Sequence, residues 1–405
     1  MRKLGMSFAA VVVPILIWIE PLGAADGDWK VTEQHVIMVQ GGIPADLADR
    51  VAANGGRVVR QHQEIGVAIA IGLSEEGAAA VAGNARVARD LSVQLLPALE
   101  DIDWSIEDLG NAKPLGHDPA GAILFPLQWN MRTIRADDAW AAGFEGGSEI
   151  RVAILDSGID PFHFDLAGLV DPLDSAAFVP ALTGPPDWVD DNFHGTHVAG
   201  IVATNGIGTS GVAPHTTLVA VKVCDALGSC SFAAIIAGIL HATNVGVDVI
   251  NLSLGGTFPK NAPGGGMLVA ALNRAVNYAN RHGVLVISGA GNDAVDLRYN
   301  GNLIAAPCES GTGLCISASG PDDLLASYSN YGTSAIHVAA PGGDSVDAGN
   351  PLDSMVLGPC TTRSILPALA VCAANLQYIS PRAPARRLRM YRVRPRCWMR
   401  SRMAP

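Results

Sequence analysis

The chain has 405 residues, 49% of them apolar, and a formal net charge of −11 at pH 7. That length and apolar share can support a sizeable core and more than one domain. The acidic balance argues against nucleic acid as a partner, because a phosphate-binding protein needs a basic face.

Residues 1–25 read as a secretory signal. Arg2 and Lys3 form the basic start, Met6–Ile19 is apolar but broken by Pro14, and Leu22-Gly23-Ala24-Ala25 offers small residues for cleavage. The apolar stretch is too short to span a bilayer, so export is expected, with no membrane span left after signal removal. Residues 33–97 have the pattern of a small α+β unit. His35–Gln40 alternates as a strand does and Pro44–Asn54 has helical spacing. Val67–Ile71 is a second strand, Ser74–Gly83 a second helix and Val87–Leu96 a last strand. Residues 98–127 are acidic and rich in Pro and Gly, and read as an exposed linker.

From Gln128 the pattern changes. Ile150–Leu155, Thr217–Val223, Val247–Leu252 and Val284–Ser288 are continuous Val/Ile/Leu runs, as strands covered on both faces should be. Helical stretches alternate with them over Gly195–Thr204, Phe232–Asn244 and Gly266–His282. The expected fold is α/β, a doubly wound, mostly parallel sheet, with ligands at the carboxyl ends of the strands. Asp156 and Asn292 both lie at such ends.

Two segments carry chemistry. Leu155-Asp156-Ser157-Gly158 puts a carboxylate where an apolar strand gives out. His194-Gly195-Thr196-His197-Val198-Ala199-Gly200 puts an imidazole at the mouth of a helix, with Gly195 and Gly200 permitting close packing. A carboxylate and an imidazole from separate elements are two members of a nucleophilic triad. The carboxylate fixes the imidazole tautomer, and the other ring nitrogen accepts a hydroxyl proton. Alone, Asp156 reads as a turn residue; beside the histidine motif it reads as a partner for His194. Among the seven cysteines, Cys224 and Cys230, Cys308 and Cys315, and Cys360 and Cys372 are close neighbours. Three local disulfides suit an oxidising compartment, with buried free thiols as the alternative. Cys397 is left over. Metal-ligand spacing such as C-x-x-C is absent, which sets aside a metal-dependent peptidase.

Four segments in order resemble the motifs of the subtilisin-like serine peptidases, the subtilases: Val152 to Gly158, His194 to Gly200, Asn251-Leu252-Ser253-Leu254-Gly255-Gly256, and Ser288-Gly289-Ala290-Gly291-Asn292. The likeness covers roughly Gln128 to Gly343, and the Asp-then-His order is that of subtilisin. The resemblance implies a serine endopeptidase in which Asp156 orients the imidazolium, His194 acts as general base and then acid, and Asn292 donates to the oxyanion. Ser253-Leu254-Gly255 would pair with extended substrate, and Gly289, Ala290 and Gly291 would wall the pocket for the side chain before the cut bond. His197 would be a packed helical histidine. Residues 33–97 would be an inhibitory, ferredoxin-like propeptide of the inhibitor I9 type, 98–127 the processing region and 128–381 the catalytic domain. The implied partners are polypeptide substrates and the chain's own propeptide, in a monomer secreted as a zymogen. No cofactor is required; structural calcium is frequent in the family, but no ligand cluster here is specific enough to name.

The family also needs a Gly-Thr-Ser-x-Ala-Ala-Pro-His segment opening a late helix. Gly332-Thr333-Ser334 is followed by Ala335 to Pro341, which matches the family's preceding strand and Ala-Pro-Gly turn, so Ser334 is a decoy. Where the nucleophile belongs, after Tyr378-Ile379-Ser380, stands a tail with nine arginines between Arg382 and Arg402. A basic tail that binds something anionic is the plain reading; the genetic code offers another. Joining the last base of each codon to the first two of the next, from Arg382/Ala383 onward, permits Gly-Thr-Ser-Thr-Ala-Ala-Pro-His-Val-Ser-Gly. The Val is forced, because Met390 is ATG and Tyr391 begins TA. Residues 382–405 are therefore read as an out-of-frame translation that includes Cys397, and the chain as it stands as lacking its nucleophile. The rival reading is a non-catalytic protein that binds peptide through an intact groove.

Overall fold

The structure is a computed structural model, and it describes residues 29–96, 103–109, 118–182, 184–299, 301–344, 354–364, 372 and 377–382. The signal segment expected at 1–25, and the tail from 383 onward with Cys397, lie outside these residues.

The N-terminal unit runs β1 (Trp29–Met38), α1 (Leu47–Ala53), β2 (Arg57–His62), β3 (Val67–Ile71), α2 (Glu75–Ala82) and β4 (Arg86–Gln94). Its strands lie in the order β2-β3-β1-β4, all antiparallel, which is the ferredoxin-like arrangement. The period of two divides its apolar residues between two cores. Ile37, Ala68 and Ala70 pack with Leu47, Val51 and Val81 of the unit's own helices. Val36, Met38, Val67 and Ile69 face the other way, into the core of the larger unit.

After β5 (Asp103–Asp108) come α3 (Trp129–Thr133), α4 (Ala136–Ala141), β6 (Arg151–Asp156), β7 (Ala176–Ala177), α5 (His194–Val202), β8 (Thr217–Lys222), β9 (Ser229–Ser231) and α6 (Phe232–Asn244). The chain continues through β10 (Val249–Leu252), β11 (Gly256–Pro259), α7 (Gly265–Arg281), β12 (Leu285–Gly289), β13 (Leu303–Ala306), β14 (Leu314–Ser319), β15 (Val338–Pro341), β16 (Gly358–Pro359) and β17 (Gln377–Arg382). Seven strands form one parallel sheet in the order β15-β14-β12-β10-β6-β8-β7. The doubly wound α/β fold expected from the apolar runs is present. α6 is buried on almost every side. α7 buries one stripe (Leu268, Leu272, Ala275, Ala279), and its polar Arg274 reaches the N-terminal unit, donating to the carbonyls of Val39 and Ile65.

Part of the stretch read as an exposed linker is built into the fold. β5 pairs antiparallel with β17, and Ala122 and Leu124 are buried. Leu124 packs with Ile207, Leu357 and Tyr378. The acidic residues around Trp104 and Ile106 mask a strand alternation in the sequence. The three cysteine pairs are disulfides: Cys224–Cys230, Cys308–Cys315 and Cys360–Cys372. No helix among the described residues is long and apolar enough to cross a membrane.

Candidate active site

Asp156 ends β6 and His194 opens α5, so the parallel sheet delivers both to its carboxyl edge. The close approach depends on glycine: a Cβ on Gly195 would meet the carbonyl oxygen of Gly158 at 2.0 Å, and one on Gly200 would meet Pro359 Cδ at 2.1 Å. His194 Nδ1 lies 2.9 Å from both carboxylate oxygens of Asp156. The carboxylate can only accept, so Nδ1 carries the proton and Nε2 keeps its lone pair. Asp156 is fully buried, and the His194 side chain keeps 17% of its exposure. Burial works against the imidazolium, but the charge and hydrogen bond of Asp156, helped by Asp190, outweigh it and raise the His194 pKa. The arrangement is an oriented base with an open face.

That face borders a groove of about 560 Å³, within the usual range for ligand sites, whose walls include His194, Ser253, Leu254, Gly255, Gly289, Ala290, Gly291 and Asn292. These segments follow β10 and β12, so the strand ends gather every sequence-predicted substrate residue around one imidazole. Asp156 sits behind His194, away from the groove. Asn251 Nδ2 donates to Ser253 Oγ at 2.8 Å, steadying the first of these segments. Ser334 is exposed in the turn before β15 and does not line the groove. His197 is buried at the groove's edge, with Nε2 3.1 Å from the carbonyl of Val356.

The groove also receives a residue that sequence reasoning passed over. β4 runs from the N-terminal unit to pair antiparallel with β9 of the larger unit, with Val93 opposite Cys230 and Gln94 opposite Ser229. Beyond it the amides of Leu95 and Leu96 both donate to the carbonyl of Gly228. Leu95 lines the groove and fills an apolar recess beside Phe232, Ile235 and Phe258 that retains only about 10 Å³ of free space. Burying that side chain is worth roughly 1.5–3 kcal/mol. Asp90 adds a polar tie, accepting from the Ala233 amide at the start of α6.

Around the pair the buried carboxylates are committed to protein donors. Asp165 accepts from the amides of Ile207, Gly208 and Thr209 and from the Tyr378 hydroxyl. Asp160 accepts from Phe162 and Thr362 amides and two threonine hydroxyls. No group of three or more His, Cys, Asp or Glu that could hold a metal ion occurs among the described residues.

Burial, with the nearby His194, pushes His197 down to about 4. A base with a depressed folded pKa stays neutral while the unfolded chain, near 6.5, takes up a proton. Stability is then lost as pH falls from about 6.5 to 4, by up to about 3 kcal/mol. Asp90 and Asp190, raised to about 6 chiefly by burial, act in the opposite sense but are common to parent and variant. His197→Asn should therefore lose less stability than the parent between pH 7 and 4.5 in urea unfolding. Parallel pH profiles would refute this.

An α/β sheet with an aspartate–histidine pair at its carboxyl edge, beside an extended groove, defines the subtilisin-like class. The chain belongs to the subtilase family, whose Peptidase S8 profile matches residues 147–370, just over half of it. It is similar to an alkaline protease of Alkalihalobacillus alcalophilus, 38% identical over 254 residues, which are 62% of this chain and 60% of the relative. Subtilisin Savinase of Lederbergia lenta is 38% identical over 218 residues, 53% of this chain and 72% of the relative. Against the minor extracellular protease Epr of Bacillus subtilis (strain 168), 35% identical, the match spans only 30% of the relative. The epidermin leader peptide processing serine protease of Staphylococcus aureus shares the fold at a TM-score of 0.64 and 23% identity, over 81% of each chain.

Proposed function

We propose that the parent gene encodes an exported serine endopeptidase, made as a zymogen, that hydrolyses polypeptides through an acyl-enzyme. The observation that carries this reading is the Asp156–His194 pair facing a groove whose segments suit an extended peptide. In the reaction a serine Oγ attacks the scissile carbonyl while His194 Nε2 takes its proton, and Asp156 supports the imidazolium. His194 then protonates the leaving amine, and a water deprotonated by the same nitrogen hydrolyses the acyl-enzyme. Asn292 would donate to the oxyanion. In a catalytically competent form, Asn292→Ala should slow peptide hydrolysis by about 10²–10³ in kcat, the magnitude of the subtilisin oxyanion asparagine. Unchanged kcat would remove Asn292 from that role.

The nucleophile segment is read as out of frame; Ser334, in the Gly-Thr-Ser before β15, does not line the groove. The groove's apolar wall between α5 and β15 includes Ile201, Ile316 and Met355, and Val338 of β15 is 54% exposed. A helix of small residues such as the shifted frame encodes would suit that wall. Sequencing the DNA around codon 381 tests this directly: a single inserted or deleted base, or an equivalent net shift, is expected.

The N-terminal unit is proposed as an inhibitory propeptide, with Leu95 held in the groove as a product would be. Expressed separately, residues 29–97 should inhibit the frame-corrected enzyme in trans. Leu95→Ala should weaken that inhibition roughly 10- to 100-fold, from the lost burial. Full inhibition by the Leu95→Ala segment would remove Leu95 as an anchor, and none by the parent segment would reject the inhibitory role. The rival reading, a non-catalytic peptide binder, is favoured by the same strand pairing; an intact DNA frame through the arginine-rich tail would select it.

A further inference from the structure

Behind the Asp156–His194 pair lies a second, completely buried carboxylate that the chemistry above does not use. Asp190 Oδ1 accepts from Ser157 Oγ at 2.8 Å and from the Asn192 amide at 2.9 Å. Its Oδ2 accepts from the Thr196 amide at 3.0 Å and from the Thr196 hydroxyl at 2.6 Å. Ser157 Oγ in turn accepts from the Gly195 amide at 3.0 Å, and the Ser157 amide donates to Asp156 Oδ1 at 2.7 Å.

These bonds form a closed frame around the two functional side chains. Phe193 stands at the N-cap of α5 with no side-chain cap, so the first-turn amides are met from outside: His194 N–H by Asn192 Oδ1, Gly195 N–H by Ser157 Oγ and Thr196 N–H by Asp190, which also accepts from the Asn192 amide and Ser157 Oγ. Through Ser157 the same carboxylate grips the residue after Asp156. One group thus fixes both the helix start that bears the imidazole and the strand end that bears its carboxylate. Lys222, in register with Asp156 on β8, braces the far side, with Nζ 2.5 Å from the Ser157 carbonyl and 2.5 Å from Asp191 Oδ1.

We infer that Asp190 is a positioning residue for the reaction: acting through Ser157 and Thr196, it sets the geometry and charge of the Asp156–His194 pair. This rests on the reading of that pair as the catalytic acid–base couple. The charged groups around Asp190 are Asp156 at the end of β6, Asp160 in the following turn, Lys222 on β8, His194 on α5 and the adjacent Asp191. Burial raises Asp190 to about 6 against the pull of Lys222 and its hydrogen bonds, so at neutral pH it is ionised and adds to the field that holds a proton on His194.

The test replaces Asp190 by Asn, close in size but uncharged, with Ser157→Ala as a milder cut of the same frame should Asp190→Asn fail to fold. In the chain as it stands, imidazole NMR titration of His194 should show a lower pKa in Asp190→Asn than in the parent. In the frame-corrected protein, fluorophosphonate labelling should slow at its alkaline plateau, by about tenfold or more, and the acid limb of its pH profile should move to lower pH. Ser157→Ala should lower the plateau and leave the limb nearly in place, because no charge is removed. A merely structural residue would lower the plateau without moving the limb in Asp190→Asn. An unmoved His194 pKa, an unmoved limb or an unchanged plateau in Asp190→Asn overturns the inference; so does an unchanged plateau in Ser157→Ala. Absence of labelling in the frame-corrected parent instead counts against the catalytic reading on which the inference rests.

Discussion

Corrected to the shifted frame after Pro381, the protein is expected to take a fluorophosphonate label on its restored serine, whereas the present chain takes none. The physical basis is the base already in place. His194 Nδ1 is held 2.9 Å from both oxygens of Asp156, leaving Nε2 to accept a proton at the mouth of the groove. An organophosphorus reagent reports this directly, because it reacts with a serine only when a neighbouring base raises its nucleophilicity. His194→Ala should abolish the label. Loss of the serine costs about 10⁶ in kcat in subtilisin, from which the magnitude is taken, so peptidase activity should differ between the two frames on that scale. Ser334, exposed before β15, should stay unlabelled in both. Labelling of the present chain at Ser334, or full activity after His194→Ala, would overturn the assignment.

Much of the fold was legible because its signals are local. The runs that became β6, β8, β10 and β12 are apolar on both faces, and helix-spaced segments alternate with them, which a covered parallel sheet satisfies. Asp156 and His194 were legible for a related reason: strand ends and helix starts are set by short motifs, and Gly195 can tolerate no side chain where it meets Gly158. Other features depend on contacts between residues far apart in the chain. β5 hides among acidic residues and becomes a strand by pairing with β17. β15 ends in a proline, and its place at the sheet edge comes from β14. Leu95 looks like any strand leucine until the β4–β9 pairing carries it into the groove. Asp190, four residues before His194, belongs to no motif visible in the sequence. Its distinction lies in Ser157, which belongs to a segment 33 residues away in sequence.

Asp156→Asn should lower kcat of the frame-corrected enzyme by about 10⁴, the scale known for triad carboxylates including that of subtilisin. An asparagine keeps the volume, and its carbonyl can still accept from one donor, so the fold should survive. The Ser157 amide competes for that acceptor at 2.7 Å, however, and if it keeps the carbonyl, the amide NH₂ is turned toward His194. The imidazole must then accept at Nδ1 and carry its proton on Nε2, the nitrogen that has to take the serine proton. The substitution also removes the main charge that offsets burial of the imidazolium, so the His194 pKa should fall. Both effects work in one direction: the ground state gains the wrong tautomer and the transition state loses its counter-charge. Measured kcat/KM should fall with kcat while KM changes little, since Asp156 does not line the groove. A variant that keeps kcat within tenfold of the parent would show that His194 does not depend on this carboxylate.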